Sequence, residues 1–256
     1  SPVEIAQIGQ FAENEYFGKP CGLMDQMASA VGGFVMIDFK DKIMPCYEKI
    51  DVDFQSKNYA LLIVDTKGNH QNLTPDYAGI PIEMGNVCRE LGVNQCRDIA
   101  PDTFYDKIPE LREKVGDRAV LRCMHFFKEN ERVGKMKVAM EEDNFSVFLD
   151  LINESGESSF CWLQNCYSST YPDKQGISLG ILLTQEYLKK RELRGACRVH
   201  GGGFAGSFEV FLPNSHVDDY RGLIEKIFGT GAVKSLKIRL VGANSFQFER
   251  EYSLNE

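Results

Sequence analysis

The stretch Arg198-Val199-His200-Gly201-Gly202-Gly203-Phe204-Ala205-Gly206 runs straight into Ser207-Phe208-Glu209-Val210-Phe211-Leu212, and its reading decides the fold class. The second half alternates polar and apolar side chains and predicts a strand over 207–212. The glycine run therefore opens a strand, where a dinucleotide fingerprint would open a helix. It also lacks the Lys-Ser/Thr of a phosphate loop. Consecutive glycines permit positive φ and close backbone approach, and exposed amides can hold an anion. A tight turn into the strand explains the same residues equally well.

Outward from that stretch, Tyr59 to Asp65 is a continuous apolar run and predicts a buried strand, as does 34–39 near the N-terminus and 236–241 near the other end. Helical spacing predicts helices over 5–17, 23–31, 82–91, 117–140, 144–159, 176–190 and 215–228, with Asn144 as an N-cap. The order is strand, several helices, strand, helix, strand. Helices and strands are partly segregated, which argues α+β rather than an alternating α/β sheet. At 256 residues the chain makes one large domain or two small ones.

Lys and Arg number 29 against 37 Asp and Glu, a formal charge of -8, so nothing draws the chain as a whole to nucleic acid or to an anionic membrane. No apolar run is long enough to span a bilayer, and Ser1-Pro2-Val3-Glu4 does not read as a signal peptide. The eight cysteines form no Cys-x-x-Cys pair and the four histidines are scattered, so no metal site is expected. Free thiols in a reducing cytoplasm are the default. The absence of an initiator Met makes a fragment the expectation.

Three segments can carry chemistry. In Gly18-Lys19-Pro20-Cys21-Gly22-Leu23-Met24-Asp25-Gln26 a carboxylate stands beside a glycine turn at a helix start. Read alone, Asp25 is a helix cap and Gly22 a turn residue. The polar loop Thr66 to Tyr77 follows a buried strand and can lean over a ligand or be simply solvated. The glycine run 201–206 is the third.

Taken in order, Ala12-Glu13-Asn14-Glu15, Gly22-Leu23-Met24-Asp25-Gln26, Arg122-x-x-His125 with Glu129-Asn130-Glu131-Arg132, Asn153-Glu154-Ser155 and Gly201-Gly202-Gly203-Phe204-Ala205-Gly206 resemble the galactokinases of the GHMP kinase superfamily. The resemblance runs from about residue 5 to about residue 240. It implies the tail of a kinase N-terminal domain over 1–50, carrying the Asp25 helix and a strand pair. Over 51–256 it implies a GHMP kinase C-terminal domain, ferredoxin-like with extra helices. The activity implied is ATP-dependent phosphorylation of the anomeric hydroxyl of galactose, with Mg2+, in the cytoplasm.

By the same resemblance, Asp25 orients or deprotonates the sugar hydroxyl, Gly22 lets backbone touch the sugar, and Tyr77 hydrogen-bonds it. Gly201, Gly202 and Gly203 make the turn beside the ATP phosphates. The family's sugar-anchoring N-terminal motif and its Gly-Leu-Ser-Ser-Ser-type loop match nothing in 1–256, so the missing N-terminal part is itself an expected partner and the piece alone is expected to be inactive. Family members place arginines after the tyrosine, where this chain has Ala78-Gly79-Ile80-Pro81; His200, Ala205 and Ser207-Phe208 also depart from the pattern. Two alternatives remain open: a sugar- and ATP-sensing regulator that does not transfer phosphate, and a kinase for a different sugar.

Overall fold

The computed structural model describes residues 1–18, 21–68 and 73–244 and separates into two units, residues 1–51 with the segment from 238 onward, and residues 52–237. In the first unit Ser1 caps helix α1 (Pro2–Phe11), its hydroxyl accepting from the Glu4 amide at 3.3 Å. The helix does not continue evenly to Phe17 as its apolar spacing predicts. Ala12–Tyr16 widens into a π-helical turn. Helix α2 (Met24–Val31) follows, then the antiparallel strands β1 (Phe34–Asp38) and β2 (Cys46–Ile50), with Phe34 opposite Ile50 and Asp38 opposite Cys46. Val3, Ala6, Leu23, Met27, Ala30 and Val31 form the core between the two helices and the strand pair.

Residues 238–244 return to this unit. The Gly33 amide donates to the Arg239 carbonyl at 2.7 Å and the Ala243 amide to the Ala30 carbonyl at 3.0 Å. The backbones touch: Gly32 has φ +70°, and a Cβ there would lie 2.5 Å from the Gly242 nitrogen. The strand expected at 236–241 is correspondingly displaced. It occupies β6 (Val233–Leu236), because Val233 is the apolar residue that the sheet buries, and the carbonyls of Arg239 and Leu240 are bonded to Gly33 and Lys49 instead.

The second unit runs β3 (Tyr59–Asp65), α3 (Thr74–Glu90), α4 (Pro101–Val115), α5 (Asp117–Glu141), α6 (Phe145–Ser158), a π-helical turn at Ser159–Leu163, α7 (Gly176–Lys190), β4 (Ala196–Val199), β5 (Ser207–Pro213), α8 (Val217–Phe228) and β6. The four strands pair antiparallel in the order β4-β5-β3-β6. Helices separate β3 from β4 and β5 from β6, which is the β-α-β-β-α-β order of a ferredoxin-like unit with added helices. The α+β expectation holds, and the reason is legible in burial. Leu62, Val64, Phe208, Val210 and Leu212 are fully buried on alternate positions of β3 and β5, against Ile177, Tyr187, Tyr220 and Ile224 of α7 and α8.

Helices α3, α4 and α5 build a separate core around Val87, Phe104, Leu111 and Cys123. Helix α3 starts eight residues before the expected 82, since Pro75 suits a first turn and Pro81 is accommodated inside. The Asn144 cap is present, its side chain accepting from the Val147 amide at 3.2 Å.

Candidate functional site

Each unit places part of the expected machinery. In the first, Gly22 is exposed, and among the described residues no atom outside its chain neighbours comes within 4 Å of the position a Cβ would take. Asp25 stands in the first turn of α2, exposed, with no side-chain partner among the described residues. The turn before it is held from behind by the π-helical segment and its neighbours. Asn14 Oδ1 accepts from the Cys21 amide at 2.9 Å, and Gln10 Nε2 donates to the Cys21 carbonyl at 3.0 Å. Gln26 Nε2 donates to Glu13 Oε1 at 2.9 Å. A π turn swings residues on one helix into a register that a regular helix would not give them, and such turns recur at functional sites. Here it aims Glu13 and Asn14 at the loop that presents Asp25. The sequence carries both residues in plain view, but the widened turn that aims them has no single-residue signature.

In the second unit the structure brings Tyr77 and the glycine run together. The Tyr77 hydroxyl, on α3, donates to the Gly203 carbonyl at 3.0 Å, and its ring meets Phe204 edge-on at 5.3 Å between centroids. A Cβ on Gly202 would stand 2.4 Å from the ring edge of Tyr77. Gly203 has φ +81°, and a Cβ there would fall 2.1 Å from the Asn165 carbonyl oxygen, which already accepts from the Phe204 amide at 2.5 Å. Asn165 Nδ2 also donates to the Gly202 carbonyl at 3.3 Å. Gly201 differs from its neighbours: its φ is +62° and the space beside it is open. Burial first, and the Asp76 carboxylate second, push the Tyr77 hydroxyl above its ordinary value, so it stays a donor at neutral pH. Asn165, buried and bracing the turn together with Tyr77, is a residue that sequence reading missed.

Arg122 apart, the remaining motif segments are framework. Asn153 donates to the Gly195 carbonyl at 3.0 Å and accepts from the Cys197 amide at 3.1 Å, so it clamps β4 against α6. Ser155 donates to Glu129 Oε1 at 2.5 Å and accepts from Arg198, while Glu129 also pairs with Arg132. His125 Nδ1 lies 2.9 Å from the Ser158 hydroxyl in a buried position. Buried polar groups joined in this way fix the register of α5, α6 and β4 rather than face a ligand.

No family model matches the chain. Individual proteins do. The galactokinase of Glaesserella parasuis serovar 5 is 30% identical over 227 residues, covering 88% of this chain and 55% of that protein. A galactokinase of Thermotoga neapolitana is 29% identical over 254 residues, covering 99% of this chain and 62% of the relative. Among solved structures, Lactococcus lactis galactokinase complexed with galactose superposes with a TM-score of 0.73 at 17% identity, over 96% of this chain and 61% of the other. The L. major mevalonate kinase in complex with R-mevalonate gives 0.55 at 13% identity, over 95% and 60%. The chain thus spans about half to three-fifths of the length of the relatives it matches. Most of this chain is thus similar in sequence to part of the galactokinases, and its fold is that of the solved galactokinase and, more distantly, of the mevalonate kinase.

Proposed function

We propose that the chain is the C-terminal part of an ATP-dependent sugar 1-kinase acting on galactose. The observation that carries the reading is the exposed Asp25 carboxylate, offered at the start of α2 inside the Gly-Leu-Met-Asp-Gln segment of a chain whose relatives are galactokinases. Phosphoryl transfer asks little covalent help of the protein and much positioning. The anomeric oxygen bonds to the γ-phosphorus, the bond from that phosphorus to the β-bridging oxygen breaks, and the hydroxyl proton passes to Asp25. Carboxylates are weak bases, so orienting the hydroxyl is the larger part of the role. Gly22, with nothing beside it, leaves backbone accessible to the sugar.

Among the described residues no group of three or more His, Cys, Asp or Glu is placed to hold a metal ion. In the proposed reaction Mg2+ would be held mainly by the ATP phosphate oxygens and water and would supply charge neutralisation. In the glycine turn, Gly202 and Gly203 are committed to packing on Tyr77 and Asn165, which supports a phosphate-binding loop rather than wrapping the phosphates. Tyr77 gives its proton to Gly203, so its contribution to a sugar site passes through the turn it braces.

The test is a coupled ADP-release assay on the full-length protein with galactose and related sugars, beside Asp25→Asn. Turnover with one sugar, lowered 10²–10⁴-fold by the substitution, is the expected result. Wild-type turnover in Asp25→Asn refutes the role. Saturable binding of sugar or ATP with no turnover moves the reading to a sensor. The 256-residue chain alone is expected to show no turnover.

A further inference from the structure

The second unit holds a cavity of about 270 Å³ that the proposed transfer does not use. It opens between the first turns of α3 and α5 and the segment after the Ser159–Leu163 turn, and its walls include Asp76, Gly79, Arg118, Arg122, Gln164 and Ser169. Arg122 is the unusual member. Its side chain is 3% exposed, and its Nε donates to the Leu163 carbonyl at 3.1 Å. Its Nη1 stands 2.9 Å from Glu83 Oε2 as an ion pair, short of a fully aligned hydrogen bond, and no other acceptor among the described residues takes one from it. Gly79 leaves room beside that nitrogen, where a Cβ would stand 3.5 Å away.

A buried guanidinium whose hydrogen bonding is incomplete costs free energy until water or a ligand supplies the further acceptor. Arg118 adds a second guanidinium at the mouth. Its Nε contacts both oxygens of the same Glu83, at 3.0 and 3.1 Å. Glu83 therefore pairs with both cations, and the Asp76 carboxylate acts on both from farther off. Burial first, with the neighbouring Arg118, holds the Arg122 guanidinium below its ordinary value against the pull of Glu83 and Asp76. Paired guanidiniums suit an oxyanion, and phosphate above all.

The other wall is different. Asp76 has Oδ2 engaged by the Ser168 hydroxyl at 2.8 Å, and with Gln164 and Ser169 it offers groups that pair with hydroxyls. At about 30 Å³ per water, the cavity has room for roughly nine waters, or about ten non-hydrogen atoms. That is too small for a nucleotide and right for a phosphorylated polyol of three carbons. We propose that this cavity binds a small hydroxylated phosphate monoester, its phosphate held by Arg122 and Arg118 and its hydroxyls by the Asp76 side.

Calorimetric titration of the whole chain with glycerol 3-phosphate, inorganic phosphate and glycerol tests this, with a readout independent of any kinase activity. Saturable binding of the ester, weakened about ten- to hundredfold in Arg118→Ala, is expected, since a charge-assisted hydrogen bond contributes that much. Arg118 is exposed, so its loss leaves the fold intact, and Arg221→Ala on the exposed side of α8 is expected to bind like the parent. Arg122→Lys keeps the charge but loses the fork and is expected to weaken the ester similarly, with near-UV circular dichroism confirming the fold. Inorganic phosphate binding as tightly as the ester supports the oxyanion site with the free ion as its occupant. Three results overturn the proposal: no saturable binding of either phosphate at millimolar concentration, glycerol matching the ester, or binding indifferent to both arginine variants.

Discussion

Gly202→Ala should be destabilising for one reason only, and that reason can be removed. The added Cβ would lie 2.4 Å from Tyr77 Cε1 and 2.7 Å from Cδ1. Ordinary carbon contacts begin near 3.5 Å, so the ring must retreat by roughly 1 Å. It is not free to do so. Its hydroxyl is bonded to Gly203 and its edge lies on Phe204. Overpacking of this kind costs about 1–3 kcal/mol, and breaking the hydrogen bond adds about 1 kcal/mol. Against this, Ala restricts the unfolded chain and returns about 0.4–1 kcal/mol, and Gly202 has an ordinary φ that Ala accepts.

The net expectation is a loss of about 1–3 kcal/mol in the parent background. In Tyr77→Ala the ring is gone, and the same substitution should become mildly stabilising, by about 0.4–1 kcal/mol. Trp162 is the chain's single tryptophan and lies in the second unit, so its fluorescence reports the unfolding of that unit. With a urea dependence of about 2 kcal/mol per molar, the parent-background midpoint should fall by roughly 0.5–1.5 M. Additivity of the two substitutions within about 0.5 kcal/mol would refute the packing argument, since side chains that do not touch add.

Gly203→Ala should be worse, because its Cβ meets backbone at Asn165 in a left-handed conformation, whereas Gly201→Ala meets only the conformational penalty of about 1 kcal/mol; the same urea assay ranks them. His125 is held below its ordinary 6.5, by burial first and by Arg198 and Arg132 against the pull of Glu129, so the unfolded chain binds the proton more readily. Its contribution is therefore full above about pH 6.5 and lost as pH falls through that value and the lower folded one, and His125→Gln should flatten that part of a stability-pH profile. Cys46 and Cys161 are exposed, while Cys88, Cys96, Cys123, Cys166 and Cys197 are buried, with burial pushing Cys166 and Cys197 up to about 12. An aromatic disulfide reagent should titrate Cys46 and Cys161 quickly in the folded chain, the half-buried Cys21 more slowly, and the five buried thiols only after unfolding.

Periodicity alone was enough for the α+β class, because β3 and β5 carry an apolar run and a clean alternation that only a half-buried sheet needs. It failed where local pattern and tertiary contact diverge. Strand β4, Ala196–Val199, is four residues long and too short to show a period. Residues 236–241 alternate well enough to suggest a strand, but past Leu236 of β6 their partners are Ser29 of α2, Gly33 between α2 and β1, and Lys49 of β2, nearly the whole chain away. At the candidate site, Asp25, Gly22 and the glycine run stood out by residue type. Asn165 did not, since an asparagine that braces a turn looks like any other until the residues around it are placed; Arg122 stood in a motif segment, but nothing there marked it as lining a cavity.

The pairing of Gly32 and Gly33 with residues 239–242 also sets a clock on biosynthesis. Lys49 and Leu240, bonded through side chain and carbonyl, stand 191 positions apart, and Arg239 and Ser29 210 apart. At about 5–20 residues per second, roughly 10–40 s pass between the emergence of the early residues and that of their late partners. Throughout that interval the Gly33 amide and the Ala30 carbonyl have no protein partner from the returning segment, while the whole of the second unit is synthesised. The first unit is thus begun first and finished last, and a nascent chain stalled before residue 238 would carry an open edge that chaperones or a neighbouring nascent chain can engage.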